Sequence, residues 1–530
     1  MAVPQFDNAL PTAADVVVVG AGAAGAAVAA RLSELDSARI LLVEAGPDYR
    51  AAQTPPAVRD TDVGRALALR SLRWPDLRAR LTEAQPPRPY ACGRGVGGGS
   101  AINGQLAARG TPADFDAWVA AGCPGWSWPD VLPTFVGIED DLDFGDGPGH
   151  GAGGPVPISR APAGRRGPLS AALYTAAVDR GHAERPDLNA GEGPGISPTA
   201  WHRRGGARVS SNDSHLEPAR DRPGLRVAGG RTVARVLFSA GRVRGVEVAD
   251  GRRRTVVAAP AVVLCAGAVY SPAILLRSGV GPADQLDRLG VEVVAAVPGV
   301  GARLSDHPAV LLDLRLTGDA AERARRTESG CCLLRLPSGP GAGTGPPAGA
   351  DAGAGADAGH DIQLLPLDRT VGPAAAGLLV SLMRPASLGA VRLRSDDPAD
   401  DPQVDLRLLT EPADLGRLGE AVRYAADLLD HRDLRAVVAD RPAPPAGDLR
   451  RWLRESCRAQ YHPSGTCRMG PATDPGAVVD EEGRVHGVDG LWVADASVLP
   501  VPCGVPPYLS TVMLAERLAA AIRRRLRPAP

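Results

Sequence analysis

The sequence predicts an α/β protein in which a parallel sheet binds a nucleotide, and two stretches carry this prediction. The β-branched run at residues 15–19 leads into the glycine-rich turn at residues 20–25, and a helical stretch follows. A second apolar run, residues 40–43, ends at Glu44. Further along, the apolar run at residues 261–265 also ends at a glycine-rich segment. Buried strands that are followed by glycine turns and helices are typical of doubly wound sheets.

The turn at residues 20–25 has the glycine spacing of a dinucleotide-binding turn. We expect Gly20 to make the tight turn, Gly22 to let the backbone approach a pyrophosphate, and Gly25 to let the helix pack on the strand. The N-terminus of the helix presents unpaired N–H groups to the diphosphate. Glu44 is placed to accept hydrogen bonds from a ribose diol, and an acid here disfavours the 2′-phosphate of NADP. FAD or NAD is therefore expected, and an ordinary tight turn in an α/β sheet is the alternative.

The composition excludes several other classes of protein. The chain has 530 residues, of which 44% are hydrophobic, so it can bury a large core. Its 59 basic and 60 acidic residues give a net charge of -1, so no overall field favours nucleic acid or an acidic membrane. Every basic residue is arginine, which excludes a Schiff-base lysine.

The cysteines and the apolar stretches predict a cytoplasmic protein without a membrane span. None of the eight cysteines forms a C-x-x-C pair, which argues against a zinc ribbon and a dithiol redox motif, and a reduced cytosolic setting is expected. The first 15 residues lack the pattern of a secretory signal. The most apolar stretch, residues 16–30, is short and rich in glycine and alanine, so it is not expected to cross a bilayer.

Two further glycine-rich segments and a C-terminal stretch resemble a known family. Residues 93–104 read Gly-Arg-Gly-Val-Gly-Gly-Gly-Ser-Ala-Ile-Asn-Gly, and residues 267–281 contain a Ser-Pro pair at a predicted helix start. Near the C-terminus, Tyr-His-Pro-Ser-Gly at residues 461–465 precedes Val-Ala-Asp-Ala-Ser at residues 493–497. Together with the N-terminal turn, these stretches resemble the glucose–methanol–choline (GMC) oxidoreductases, which are FAD-dependent alcohol oxidases and dehydrogenases. Residues 93–156 and 267–310 are especially similar to the aryl-alcohol and hydroxymethylfurfural oxidase branch.

The resemblance, which covers about residues 15–310 and 385–520, implies an α/β (α+β) fold. A Rossmann-like FAD-binding domain would carry an inserted substrate domain based on an antiparallel sheet. The FAD-binding domain is expected at residues 1–155, 205–310 and 456–530, and the substrate domain at residues 156–204 and 311–455. Residues 389–394 alternate like a strand, and residues 414–429 have helical spacing. Residues 337–359 are of low complexity and cannot build a core, so we expect a mobile loop, with a lid over the active site as the sharper alternative.

The resemblance also implies the residues that hold the cofactor. The family sometimes links FAD covalently through a histidine in the second glycine segment, but no histidine lies between residues 93 and 116, so non-covalent FAD is expected. By resemblance, the ADP portion is assigned to Ala23, Ala24, Glu44 and Ala45, the adenine to the backbone of Val233, and the flavin side to Trp74, Val96, Ser100, Ala101, Ile102, Asn103, Tyr461, Asp495 and Ala496.

The implied chemistry is the oxidation of a primary or activated (benzylic or allylic) alcohol to an aldehyde. A base takes the hydroxyl proton while hydride passes from carbon to flavin N5, and histidine is suited to the role of base near neutral pH. His462 occupies the family's base position. Oxygen or another acceptor would reoxidise the flavin, and the sequence leaves the oligomeric state open.

The chain departs from the family at the second catalytic position, where a histidine or asparagine is usual. Val505 or Pro506 falls there, depending on the direction of counting, and neither side chain forms hydrogen bonds. The loss of such a contact commonly costs about ten- to a thousand-fold in rate. Three explanations stay open. Tyr508 supplies a hydroxyl, His462 alone suffices for an activated alcohol, or the site has turned to non-redox work, as in the family's hydroxynitrile lyases, or has lost catalysis.

Overall fold

A five-stranded parallel sheet lies within the first of two hydrophobic cores. The structure is a computed structural model, which describes residues 10–191, 193–251, 253–338, 360–370, 376–441, 444–445 and 447–526. The strands of the sheet are fully buried along most of their length, as expected of parallel strands that are covered on both faces. In spatial order they are Leu225–Ala228, Ile40–Val43, Val16–Val19, Ala261–Leu264 and Leu491–Val493.

The two helices that pack together in this first core come from opposite ends of the chain. Helix Ala23–Leu32 follows the glycine turn directly, and helix Tyr508–Leu526 packs along it. An ion pair of 2.6 Å between Arg31 Nε and Glu516 Oε2 joins them. The predicted strand, turn, helix and second strand are thus confirmed, and the helix ends at Leu32.

An antiparallel sheet of seven strands forms the second hydrophobic core. Helices Pro168–Asp179 and Pro412–Leu428 pack against it. The predicted antiparallel substrate sheet is therefore present. Six of its strands run in the spatial order Val438–Asp440, Pro308–Leu316, Ala376–Leu382, Ile362–Leu367, Cys332–Leu336 and Gly195–Pro198, and the seventh, Arg458–Ala459, pairs with Pro308–Leu316.

Smaller elements complete the described chain. The predicted strand at residues 389–394 forms as Ala390–Arg392, in a four-stranded sheet with Gln403–Asp405, Arg78–Arg80 and Arg88–Pro89. The other strands are Glu139–Asp141, Val156–Arg160 and Ala200–Trp201; Arg203–Arg204 and Ala207–Arg208; Thr232–Ser239, Arg242–Asp250 and Arg253–Ala258; and Val280–Gly281 and Ala295–Ala296. The other α-helices are Pro56–Arg59, Val63–Leu67, Gly99–Ile102, Pro112–Ala120, Trp128–Ile138, Glu217–Ala219, Gly267–Arg277, Ala283–Leu289, Gly318–Ala324, Arg432–Val437 and Leu449–Ser456, and a π-helix spans Asn212–Leu216.

The two cores agree with a division into a nucleotide-binding part and a substrate part, but the exact domain boundaries stay a prediction. Most of the predicted loop at residues 337–359 lies outside the described residues, because the description stops at residue 338 and resumes at residue 360. None of the helices in the described part of the chain combines the length and the apolar character needed to cross a lipid bilayer.

A cluster of buried charges stabilises the segment between residues 139 and 160. Arg109 forms a bidentate pair with Glu139, and Arg160 lies 2.8 Å from Asp141 Oδ1 and 2.7 Å from Asp187 Oδ1. Three buried carboxylates, of Glu139, Asp141 and Asp187, therefore face two guanidinium groups, and a fourth, the exposed carboxylate of Asp143, lies 3.3 Å from Arg160. The buried cluster is therefore short of one positive charge. Unpaired charge is costly in a buried site, so a further positive charge there would be stabilising.

His150 supplies that positive charge when it is protonated. Its Nε2 lies 2.9 Å from Asp187 Oδ2, and its Nδ1 lies 3.6 Å from Glu139 and 3.5 Å from Asp141. The interaction with Glu139 is the largest cause that raises the pKa of His150 above its usual value. The contribution of His150 to stability is therefore fully present below about pH 6.5 and is lost as the pH rises through the raised pKa of the folded state. We expect the melting temperature of the wild type to fall over this window more steeply than that of His150→Gln, and parallel curves would contradict this role.

Candidate active site

A cavity of about 530 Å³ is lined by residues of both cores. Its walls include the three glycine-rich segments, the ends of the parallel strands and one face of the seven-stranded sheet. Ligands of doubly wound proteins bind at the carboxyl ends of the parallel strands, which is where the glycine turn lies in this chain.

Two close backbone approaches explain why glycine is required around this cavity. A Cβ atom on Gly25 would lie 1.8 Å from the carbonyl oxygen of Gly20, so the first helix can approach the strand only without a side chain at residue 25. A Cβ atom on Gly98 would lie 2.6 Å from the Cα atom of Gly22, so the first and second glycine segments touch each other. The backbone N–H of Gly97 also donates to Ala21 O at 2.8 Å. The two segments therefore form one continuous wall of backbone.

Glu44 fastens these glycine segments together from the end of its strand. Its Oε2 accepts from the backbone N–H of Ala21, and its Oε1 accepts from the backbone N–H groups of Gly46 and Gly95, each at 2.8 Å. A carboxylate has about four acceptor positions, so one position, on Oε2, stays free to accept a further hydrogen bond. The predicted contact with a ribose stays a prediction, and the sequence did not predict the three backbone contacts.

Asp495 holds the third glycine segment at the start of helix Gly267–Arg277. Its Oδ2 accepts from the backbone N–H of Gly267 at 2.8 Å and from the Ser271 hydroxyl at 2.6 Å. Its Oδ1 accepts from the backbone N–H of Ser497 at 2.8 Å. The start of the helix, which carries partial positive charge, is thereby fixed against the cavity. Together with the glycine walls, these residues fit a dinucleotide.

Most of the predicted cofactor residues lie on this cavity. Three of them lie outside its lining: Gly25, where the helix meets the strand, and Val96 and Ala101, which are buried in the second glycine segment. Their individual roles toward FAD stay predictions. Those that line the cavity are Gly20, Gly22, Ala23, Ala24, Glu44, Ala45, Trp74, Ser100, Ile102, Asn103, Val233, Tyr461, Asp495 and Ala496.

His462 lies on the cavity wall and is paired with a second histidine. Its Nδ1 lies 2.9 Å from Nδ1 of His307, and Nε2 of His307 lies 3.2 Å from the carbonyl oxygen of Cys503. Tyr461, the residue before His462, has a backbone φ of 61°, in the left-handed region that side chains disfavour. The ring of Tyr461 is 47% exposed and also lines the cavity.

Asp306 holds the backbone of both histidines. Its Oδ1 accepts from the backbone N–H of His307 at 2.7 Å and from that of His462 at 3.0 Å, and its Oδ2 accepts from the hydroxyl of Tyr90 at 2.6 Å. Burial raises the pKa of Asp306 to about 6. Burial lowers the pKa of His307 to about 4 and that of His462 well below its usual value, so both imidazoles are neutral at neutral pH.

The position at which the resemblance implies a histidine or an asparagine carries no polar side chain. Pro506 lines the cavity together with Pro507, whereas Val505 is buried outside the lining. The ring of Tyr508 also lines the cavity and packs at 4.3 Å between centroids on His202, and its hydroxyl lies 3.4 Å from Ser211 Oγ. A contact between this hydroxyl and substrate stays a prediction.

His307 is the residue that the sequence interpretation missed. The motif that contains it, Asp306-His307-Pro308, stands at the end of the stretch that resembles the family. No spacing rule links residues 307 and 462, which are 155 positions apart. A signal was nevertheless available, because a histidine within a family-like stretch is a candidate for the same site.

The fold and the cavity define a dinucleotide-binding protein of the α/β class. Two sequence models, both described as GMC oxidoreductase, match residues 14–309 and 385–515. The chain therefore belongs to the GMC oxidoreductase family. It is accordingly an enzyme, an FAD-dependent oxidase or dehydrogenase acting on CH–OH donors, as the sequence predicted.

Three relatives illustrate the breadth of the family. The chain is 37% identical to a 5-(hydroxymethyl)furfural oxidase of Methylovorus sp. (strain MP688), over 96% of this chain and 98% of the relative. It is 34% identical to an oxygen-dependent choline dehydrogenase of Ectopseudomonas mendocina (strain ymp), over 96% and 94%. The crystal structure of pyridoxine 4-oxidase from Mesorbium loti superposes with a TM-score of 0.85 at 31% identity, over 96% of this chain and 98% of that one.

Proposed function

We propose that the protein oxidises a primary alcohol on a flat, uncharged ring to the aldehyde, with His462 as the base and with non-covalently bound FAD. The observation that carries the proposal is that one cavity brings His462 together with the glycine segments that fit a dinucleotide. The similarity to an oxidase named for 5-(hydroxymethyl)furfural supports a hydroxymethyl group on a ring as the reacting group.

The wall of the cavity on the seven-stranded sheet supports a flat, apolar substrate. Leu365 pairs directly with Leu379 on one neighbouring strand, and by register it lies opposite Leu333 on the other. All three side chains line the cavity, as does Leu367, two residues further along the same strand. Side chains opposite one another on neighbouring strands share one face of a sheet, so these leucines form a continuous apolar surface. The paired side chains of Gln363 and Ser381 border it on the same face.

The charges of the cavity argue against a cationic alcohol such as choline. Among the described residues that line the cavity, the carboxylates are Glu44 and Asp495, and both are bonded to backbone N–H groups of the glycine segments. Arg231, Arg277 and Arg458 also line it. Arg231 is paired with Asp250, but a quaternary ammonium group would meet no free carboxylate among the described lining residues.

Each group around the cavity has a distinct role in the proposed reaction. His462, neutral at neutral pH, takes the hydroxyl proton of the alcohol at its cavity-facing nitrogen. The glycine segments would hold FAD, which would supply the hydride acceptor for the carbinol carbon. The leucine wall keeps water from the reacting carbon and holds the ring in one orientation. A ring that conjugates with the new carbonyl lowers the barrier to hydride loss, which fits a site that lacks a second polar side chain at Pro506.

The non-covalent state of FAD is supported by the side chains near the second glycine segment. Residues 93–116 contain no histidine, and the cysteines that line the cavity are Cys92 and Cys265. Burial raises the pKa of Cys92 to about 12 and that of Cys265 well above its usual value. Both therefore stay thiols, and the thiol is a poor nucleophile compared with the thiolate.

Anaerobic mixing of the purified holoenzyme with a panel of alcohols tests the proposed substrate class. We expect benzyl alcohol and furfuryl alcohol derivatives to bleach the flavin absorbance, and choline at the same concentration to leave it unchanged. Admission of air then distinguishes an oxidase, which returns the colour and forms peroxide, from a dehydrogenase. Consumption of a substrate without any bleaching would overturn the proposal in favour of a lyase, and faster bleaching by choline would overturn the proposed substrate class.

A further inference from the structure

We propose that His307 is a positioning residue that fixes the tautomer of His462, so that Nδ1 of His462 carries the proton and Nε2 keeps a free lone pair. The inference rests on the proposed role of His462 as the base, and it specifies which nitrogen acts. The geometry that carries it is the pair of contacts of His307, with His462 on one side and with the carbonyl group of Cys503 on the other.

The contact with Cys503 determines where His307 carries its proton. A backbone carbonyl oxygen can only accept a hydrogen bond, so Nε2 of His307, at 3.2 Å from Cys503 O, must be the donor. A neutral imidazole has one N–H group, and burial favours the neutral form of His307. Nδ1 of His307 therefore bears a lone pair and can only accept.

The contact between the two imidazoles then determines the tautomer of His462. Nδ1 of His307 can only accept, and Nδ1 of His462 lies 2.9 Å from it, so Nδ1 of His462 is the donor. A neutral His462 with its proton on Nδ1 has no proton on Nε2. Nε2 is therefore the atom that can take a proton from an alcohol. Second partners fix the tautomer of metal-bound histidines in the same way.

Backbone hydrogen bonds on both sides of the histidine pair hold His307 and His462 in their relative position. The segment that contains His307 and the segment that contains His462 run antiparallel. Pro308 pairs with Ala459, and a bridge joins Ser305 to Ser464 through two hydrogen bonds of 3.0 Å. The histidine pair thus lies between two sets of backbone contacts. Asp306, which accepts from both backbone N–H groups, holds the backbones of the two histidines together.

The same contacts hold the loop that departs from the family. His307 donates to Cys503 O, Gln363 Nε2 donates to Gly504 O at 3.0 Å, and Asp114 accepts from the backbone N–H of Gly504 at 2.8 Å. The loop is therefore fixed through its backbone, without a polar side chain at Val505 or Pro506. In this chain, His307 orients the base, His462.

Two substitutions separate the contacts of His307. In His307→Asn, the side-chain oxygen takes the place of Nδ1 and can still accept from His462, while the contact with Cys503 is lost. In His307→Gln, the longer amide reaches the place of Nε2 and can still donate to Cys503 O, while His462 loses its acceptor. The rate constant of anaerobic flavin reduction is expected to stay within about threefold of wild type in His307→Asn and to fall about 10- to 100-fold in His307→Gln.

Nitrogen NMR of the oxidised holoenzyme, labelled with ¹⁵N-histidine, observes the tautomer directly. The signals of His462 are assigned among the nine histidines by their absence in His462→Gln. We expect a protonated Nδ1 and an unprotonated Nε2 in the wild type and in His307→Asn, and a mixture of tautomers in His307→Gln. Flavin content and melting temperature of each variant show that it folds.

The outcomes distinguish this inference from the proposed function. A wild-type His462 protonated on Nε2 would overturn the inference, even in an enzyme that oxidises alcohols. Equal reduction rates and equal tautomers in His307→Asn and His307→Gln would also overturn it. The expected tautomer in a protein whose flavin no alcohol reduces would overturn the proposed function and leave the assignment of the proton intact.

Discussion

His462→Ala is expected to lower the rate constant of flavin reduction by about 10²- to 10⁴-fold, while FAD still binds. A positioned base contributes about this much to a proton transfer, and His462 is the histidine that lines the cavity among the described residues. The measurement is stopped-flow reduction of the holoenzyme under anaerobic conditions, with the ratio of flavin to protein as the check on binding. His431→Asn is the matched control, because His431 caps helix Arg432–Val437, away from the cavity, and asparagine is among the preferred capping residues.

Reduction of His462→Ala at the wild-type rate would show that another group is the base. Tyr508→Phe belongs in the same series, since its hydroxyl is one of the three explanations for the missing second group. That hydroxyl lies 3.4 Å from Ser211 Oγ, so we expect a smaller loss than in His462→Ala. A loss as large as that of His462→Ala would instead place the Tyr508 hydroxyl on the substrate.

Gly25→Ala is expected to have the second largest effect, which is loss of bound FAD and a marked loss of stability. The new Cβ atom would lie 1.8 Å from the carbonyl oxygen of Gly20, which is backbone and cannot rotate away. The helix must then move off the strand, and overpacking of this kind costs about 1–3 kcal/mol or more. The measurements are the flavin content after purification and the melting temperature of the apoprotein.

Gly416→Ala is the matched control for this substitution. Gly416 lies inside helix Pro412–Leu428, and a Cβ atom there would meet no atom within 4 Å. Alanine is preferred over glycine in a helix by about 1 kcal/mol, so this variant is expected to melt at the same or a higher temperature. Full FAD content in Gly25→Ala would mean that the helix does not need its close approach to the strand.

The nucleotide-binding part of the fold could be predicted because its signals are local. The strand at Val16–Val19, the turn that follows and the acid at Glu44 occupy consecutive residues, and backbone geometry determines their arrangement. The strand Ala390–Arg392 was also predicted from its alternation. Its membership of a four-stranded sheet was not, because alternation defines a strand and says nothing about its neighbours.

The parts of the site that could not be predicted depend on contacts between distant segments. Glu44 receives the backbone N–H of Gly95, 51 positions away, only because the second glycine segment folds over the first. The pairing of His307 with His462 depends on the register between two segments that are more than 150 positions apart. A single sequence contains no signal for such a register unless a short turn fixes it.

The left-handed backbone of Tyr461 has a consequence for how the enzyme loses activity on heating or in denaturant. A side-chain-bearing residue in this conformation costs about 1–3 kcal/mol and persists only while its surroundings enforce it. Mild heat or denaturant that opens the neighbouring antiparallel backbone contacts would let Tyr461 leave the left-handed conformation. The imidazole of His462, the next residue, would then move away from the substrate. Inactivation should therefore precede melting of either core, with turnover disappearing while the protein is still yellow and compact.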